Sequence, residues 1–92
     1  MPRTPLAKPD DVFCGLLRET RTTRGVTQSD LAAQLGFEQS HISKVERGAR
    51  QLGVLELRAW VSALGVTLPI FATELEARLS NLEVLQRRGR SR

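Results

Sequence analysis

Gln39, Ser40, Ser43, Lys44 and Arg47 recur along one stretch, QSHISKVER, residues 39–47. A helix here with Ile42, Val45 and Glu46 turned inward presents those five side chains outward, with His41 at the edge. They are hydrogen-bonding and cationic groups. No acid–base pair in a plausible pocket, glycine-rich phosphate loop or metal cluster accompanies them, so the pattern points to recognition and not to an enzyme. A glutamine donates and accepts together, which suits the N6/N7 edge of adenine. Gln39 stands at the helix start, where a side chain reaches deepest into a groove. Ser40 can contact a base or a phosphate, and Lys44 suits guanine O6/N7 or a phosphate. Arg47 and Arg50, near the helix end and in the following loop, are better placed for backbone phosphates.

Two short helices must position this row. Leu31, Ala32 and Leu35 share one face of the first, and Ile42 and Val45 one face of the second. Between them Gly36 supplies the positive φ that a sharp bend requires. Ala32 sits where the helices would cross, and a small side chain lets the backbones approach. Thr27 and Asp30 form a T-x-x-D capping pattern that starts the first helix, and Gly48 ends the second. Together these offsets predict a helix-turn-helix.

The stretch LRETRTTRGVTQSDLAAQLGFEQSHISKVERGAR, Leu17 to Arg50, followed by SALGVTL, Ser62 to Leu68, resembles the Xre/Cro/cI family of phage-repressor-type regulators. The resemblance covers roughly Val12 to Phe71. It implies an all-α fold, a five-helix lambda-repressor-like DNA-binding domain with an extended C-terminal helix. It also implies double-stranded DNA as partner, no cofactor and no metal. By resemblance Gln39, Ser40 and Lys44 are the specificity positions, and Ser43 joins the base-contact set. Gln28, in the first turn of its helix, is assigned a phosphate contact, as are Arg47, Arg50 and His41 on the flanks. Arg21 is expected to pair with Glu46 and lock helix 1 against helix 3. The chain departs from the family at Glu38, an N-cap position where Ser or Thr is usual. Glutamate caps poorly, though its charge favours the helix dipole. Phe37 before it is expected to staple onto Ile42.

Composition bounds the rest. At 92 residues there is room for one core. No apolar run approaches a membrane span, and MPRTPLAKPDD lacks a signal-peptide stretch, so a cytoplasmic location is expected. Cys14 has no cysteine to pair with and reads as a small core residue, and one His with one Cys gives no metal-ligand spacing. The net charge of +4 resides at the C-terminus, where RRGRSR holds four of the fourteen bases; the remaining ten balance ten acids. Bulk charge therefore adds little to the case for DNA.

In chain order, residues 1–9 read as a flexible arm and 10–72 as the DNA-binding domain. Helix 1 is expected from an Asp10 or Asp11 cap to about Arg24, burying Val12, Phe13, Leu16 and Leu17. Helix 4 spans about Val54 to Leu64 with a core stripe of Val54, Leu57, Val61 and Leu64, Trp60 beside it, and Leu52 and Leu55 off it. A last helix begins with Thr67 as cap. Its extension, residues 73–86, carries Leu75, Leu79 and Leu82 at steps of three and four, a stripe suited to a homodimer. Residues 87–92 are expected as a disordered basic tail. The leading reading is a dimeric repressor on a palindromic operator. An antitoxin or restriction–modification controller, which also binds a partner protein such as a toxin, is the alternative. A protein-interaction adaptor without specific DNA readout is the third.

Overall fold

The computed structural model describes residues 8–90, with side chains as far as Arg87. Among the described residues there are five helices and no strand: α1 Pro9–Thr23, α2 Gln28–Leu35, α3 Gln39–Glu46, α4 Val54–Ala63 and α5 Leu68–Arg90. The all-α expectation holds. No single described helix is long and apolar enough to cross a membrane.

Local chemistry sets the helix boundaries. The α1 cap is Lys8, not Asp10 or Asp11, because Pro9 takes the first helical position that its fixed φ favours. Asp11 instead reaches back to accept from the Lys8 amide at 3.0 Å. At α2, Thr27 Oγ1 accepts from the Asp30 amide at 2.9 Å, and Asp30 Oδ2 accepts from the Thr27 amide at 3.1 Å. Gly36 then turns the chain at φ +74°, and its amide and that of Phe37 both donate to the Ala32 carbonyl.

The core joins all five helices through Leu16, Leu17, Leu31, Ile42, Val45, Trp60, Val61 and Phe71. Trp60 is its centre, with no exposed surface, whereas Val54 is 67% exposed. The expected α4 stripe was therefore misplaced at its start: Val54 opens the helix, before α4 reaches the core. Leu52, expected outside, is half-buried and packs on the core, while Leu55 is 81% exposed. Cys14 is half-buried, its thiol donating to the Val45 carbonyl at 3.3 Å. Burial, then the nearby carboxylates of Asp10, Asp11 and Glu46, push that thiol above its ordinary value.

Thr67 Oγ1 accepts from the Ile70 amide at the start of α5. The helix then continues through residue 90, so residues 87–90, expected as disordered tail, are helical. The rest of that tail and of the N-terminal arm, residues 91–92 and 1–7, lie outside the described residues. Arg78 ties α5 to α1 by donating to both oxygens of Glu19 at 2.9 Å, and also to Glu74 at 2.7 Å. These hydrogen bonds hold the Glu19 carboxyl below its usual range. A depressed carboxylate stabilises above its unfolded-state pKa and loses that contribution as acid protonates it. The tie is thus expected to weaken below about pH 4, modestly because it is exposed. Thermal melts on acidification should fall further for the wild type than for Arg78→Ala; parallel losses would show the contact idle.

Candidate nucleic-acid interface

The outward row on α3 is held from behind. Ile42 and Val45 are almost wholly buried, and the side chain of Glu46 keeps 3% of its exposure. Arg21 of α1 meets Glu46 in a two-pronged ion pair, Nε to Oε2 at 2.7 Å and Nη2 to Oε1 at 2.9 Å. Its Nη1 donates to the Val26 carbonyl at 2.9 Å, a third contact with no mark in the sequence pattern. The hydrogen bond to Glu46 raises the Arg21 pKa further above its ordinary value. The pair links α1, the loop before α2, and α3, with each of the three guanidinium nitrogens donating once.

Gln28, the first residue of α2, is half-buried and donates from Nε2 to Glu46 Oε1 at 3.1 Å. Gln39, the first residue of α3, donates from Nε2 to Gln28 Oε1. The chain of bonds has a direction. A carboxylate only accepts, so Gln28 must present its amino group to Glu46. Its oxygen then faces Gln39, which must present an amino group in turn. The Gln39 amide is left with its oxygen and one N–H, a donor beside an acceptor, which is the complement of the adenine edge. Gln28, expected at a phosphate, thus spends both ends of its amide within the protein. The signal for this link was present in the sequence: two glutamines each opening a helix on either side of the Gly36 turn.

Ser40 and Lys44 are exposed on the same face, as are Arg47, the C-cap, and Arg50 in the loop that follows. Ser43 is half-buried, and its Oγ accepts from Arg47 Nε at 3.3 Å. His41 lies partly against the protein. Its ring stacks on Phe37 with centroids 4.1 Å apart and planes 6° from parallel, and Nε2 is buried without a partner. That nitrogen is not presented to a phosphate. Phe37 is half-buried and packs against the core cluster that contains Ile42, while its ring face also meets His41. A shallow groove of about 390 Å³ beside Gly36 is lined by Glu38, Ser40, His41, Lys44 and Arg50. Among the described residues, no group of three His, Cys, Asp or Glu side chains is placed to hold a metal.

Two short helices crossing at a glycine turn, the second fixed from behind and polar in front, make a helix-turn-helix unit. The chain belongs to the helix-turn-helix family, whose sequence model matches residues 17–71, and it is of the expected Xre/cI type. It is 40% identical over 47 residues to y4dJ of Sinorhizobium fredii, described as an uncharacterized HTH-type transcriptional regulator. That match covers 51% of this chain and 61% of the relative, so the similarity spans about three fifths of its length. Among solved structures, the restriction-modification controller protein C.Esp1396I is similar at TM-score 0.72 and 25% identity, over 79% of this chain and 96% of that one. The same controller as a tetramer in complex with its natural 35-base-pair operator gives 0.70 and 25%, over 77% and 93%. ClgR, the clp gene regulator of C. glutamicum, shares the fold at 0.70 and 24%, over 82% and 96%.

Proposed function

We propose that this chain is a sequence-specific transcriptional regulator that binds double-stranded DNA through residues 39–47, and that it acts as a dimeric, non-enzymatic repressor in the cytoplasm. The observation that carries the reading is the Gln39 amide, oriented by Gln28 and Glu46 at the leading end of an exposed polar helix face. Gln39, Ser40 and Lys44 contact bases, with Ser43 beside them closer to the protein. Arg47 and Arg50 bind phosphates. The α2 N-terminus offers its free amides to a phosphate next to Gln28.

Leu75, Leu79 and Leu82 of α5 are half-buried, and Val84 and Leu85 beyond them are 42% and 63% exposed. A second copy covering this end would remove that surface from water and generate the two-fold symmetry that palindromic sites require. The likeness to C.Esp1396I, which binds its operator as a tetramer, supports both DNA and self-association. Among the alternatives it favours a restriction–modification controller over an antitoxin or an adaptor.

Fluorescence anisotropy with the duplex upstream of the chain's own gene and a scrambled duplex, at about 150 mM salt, tests the proposal. The native duplex is expected to bind about a thousandfold more tightly. Equal, weak binding that vanishes as salt rises would assign the interaction to the arginine-rich end alone. Solution mass in the same buffer is expected to be that of two chains, and a one-chain mass in concentrated samples would remove the dimer.

A further inference from the structure

We propose that Glu38 is a specificity residue of the reading helix, selecting cytosine at one operator position by accepting a hydrogen bond from the base's N4 amino group. The inference rests on the DNA-binding reading above.

Glu38 occupies the N-cap of α3, yet its carboxylate makes no hydrogen bond to the helix amides. The side chain is exposed and lines the groove beside Gly36. Of the residues around that groove Glu38 alone is acidic, and Lys44 and Arg50 are cationic. A carboxylate free of the helix it precedes, at the end of the helix that meets the bases, has two fates on DNA. Facing a phosphate it is repelled. Facing the major groove it needs a donor, and only adenine N6 and cytosine N4 supply one. On adenine the neighbouring N7 is an acceptor and opposes the second carboxylate oxygen. On cytosine the neighbour on the same base is C5–H, which does not. The adjacent Gln39 meanwhile carries the donor–acceptor pair that adenine requires, so the two residues read different bases.

The test is selection of binding sites from a random duplex pool by the full chain and by Glu38→Ala and Glu38→Gln. Both variants are expected to keep the fold, since the side chain is exposed and makes no hydrogen bond to the helix; circular dichroism checks this. Wild type is expected to enrich a half-site with one strongly preferred cytosine, and Glu38→Ala to keep the rest of the motif while losing that preference, about tenfold or more. A duplex carrying N4-methylcytosine at the position should bind wild type about tenfold more weakly and leave Glu38→Ala unaffected. C5-methylcytosine, which keeps the amino group, is the control. An unchanged motif bound more tightly by Glu38→Ala would overturn the proposal and leave Glu38 as a repulsive charge near phosphates. A wild type that enriches no motif would instead overturn the DNA-binding reading, and this inference with it.

Discussion

Arg21→Ala is expected to lower the stability of the fold by about 3 kcal/mol, because it leaves a carboxylate buried without its counter-charge. The side chains of Arg21 and Glu46 keep 9% and 3% of their exposure, so solvent can do little to compensate. For a domain whose total stability is on the order of 5–15 kcal/mol this is a large fraction. It corresponds to a fall in Tm of roughly 12–24 °C. Glu46→Ala should cost a similar amount by a different route, stranding the guanidinium and releasing Gln28. The informative variant is the double one. Removing both charges together deletes the attraction and the uncompensated burial at once, so Arg21→Ala/Glu46→Ala should be little worse than either single change. Urea denaturation of the four proteins measures the coupling. Losses that simply add would mean that the two groups do not interact, contrary to a bidentate contact at 2.7 and 2.9 Å.

How far the sequence disclosed this arrangement depended on how local each cause was. The Thr27–Asp30 cap and the Gly36 turn are made by neighbours in the chain, and residue types alone place them. The family likeness, not spacing, suggested the Arg21–Glu46 pairing, because the partners stand 25 residues apart. Periodicity put Val54 on the core stripe since it falls in register with Leu57, Val61 and Leu64. Register says nothing about where along its length a helix meets its neighbours, and α4 buries Trp60 and Val61 while Val54 stays exposed. The helical angle of His41 puts it at the edge of the α3 face, but that angle alone does not reveal the stacking partner that Phe37 offers. The link from Arg78 to Glu19 across 59 residues emerges only when α1 and α5 pack. The end of α5 was assigned to disorder from its arginine content, although arginine is a good helix former and the residues follow an established helix.

Gln39→Ala/Lys44→Ala is expected to abolish the preference for the native duplex while leaving the fold intact. Both side chains are exposed, so neither is needed by the core. A well-made bidentate base contact discriminates by about 1–3 kcal/mol, and two lost from each half of a dimer account for a thousandfold preference or more. The single variants should differ in kind. Gln39→Ala removes an uncharged reader, so affinity should fall with the salt dependence unchanged, and tolerance should rise at one base. Lys44→Ala removes a cation. If Lys44 reads guanine, specificity falls at a second base; if it binds phosphate, all duplexes weaken alike and the salt slope shrinks by about one unit per site. Gln28→Ala distinguishes orientation from contact. It leaves every proposed base contact in place but cuts Gln39 off from Glu46, so the Gln39 amide can turn over and present its groups in either order. Relaxed discrimination in Gln28→Ala with Gln39 intact is therefore the expected mark of readout set from inside the protein. Anisotropy titrations against duplexes substituted base by base measure it. If Gln28→Ala instead weakens every duplex equally, Gln28 acts through a phosphate, and the ion pair behind it serves stability alone.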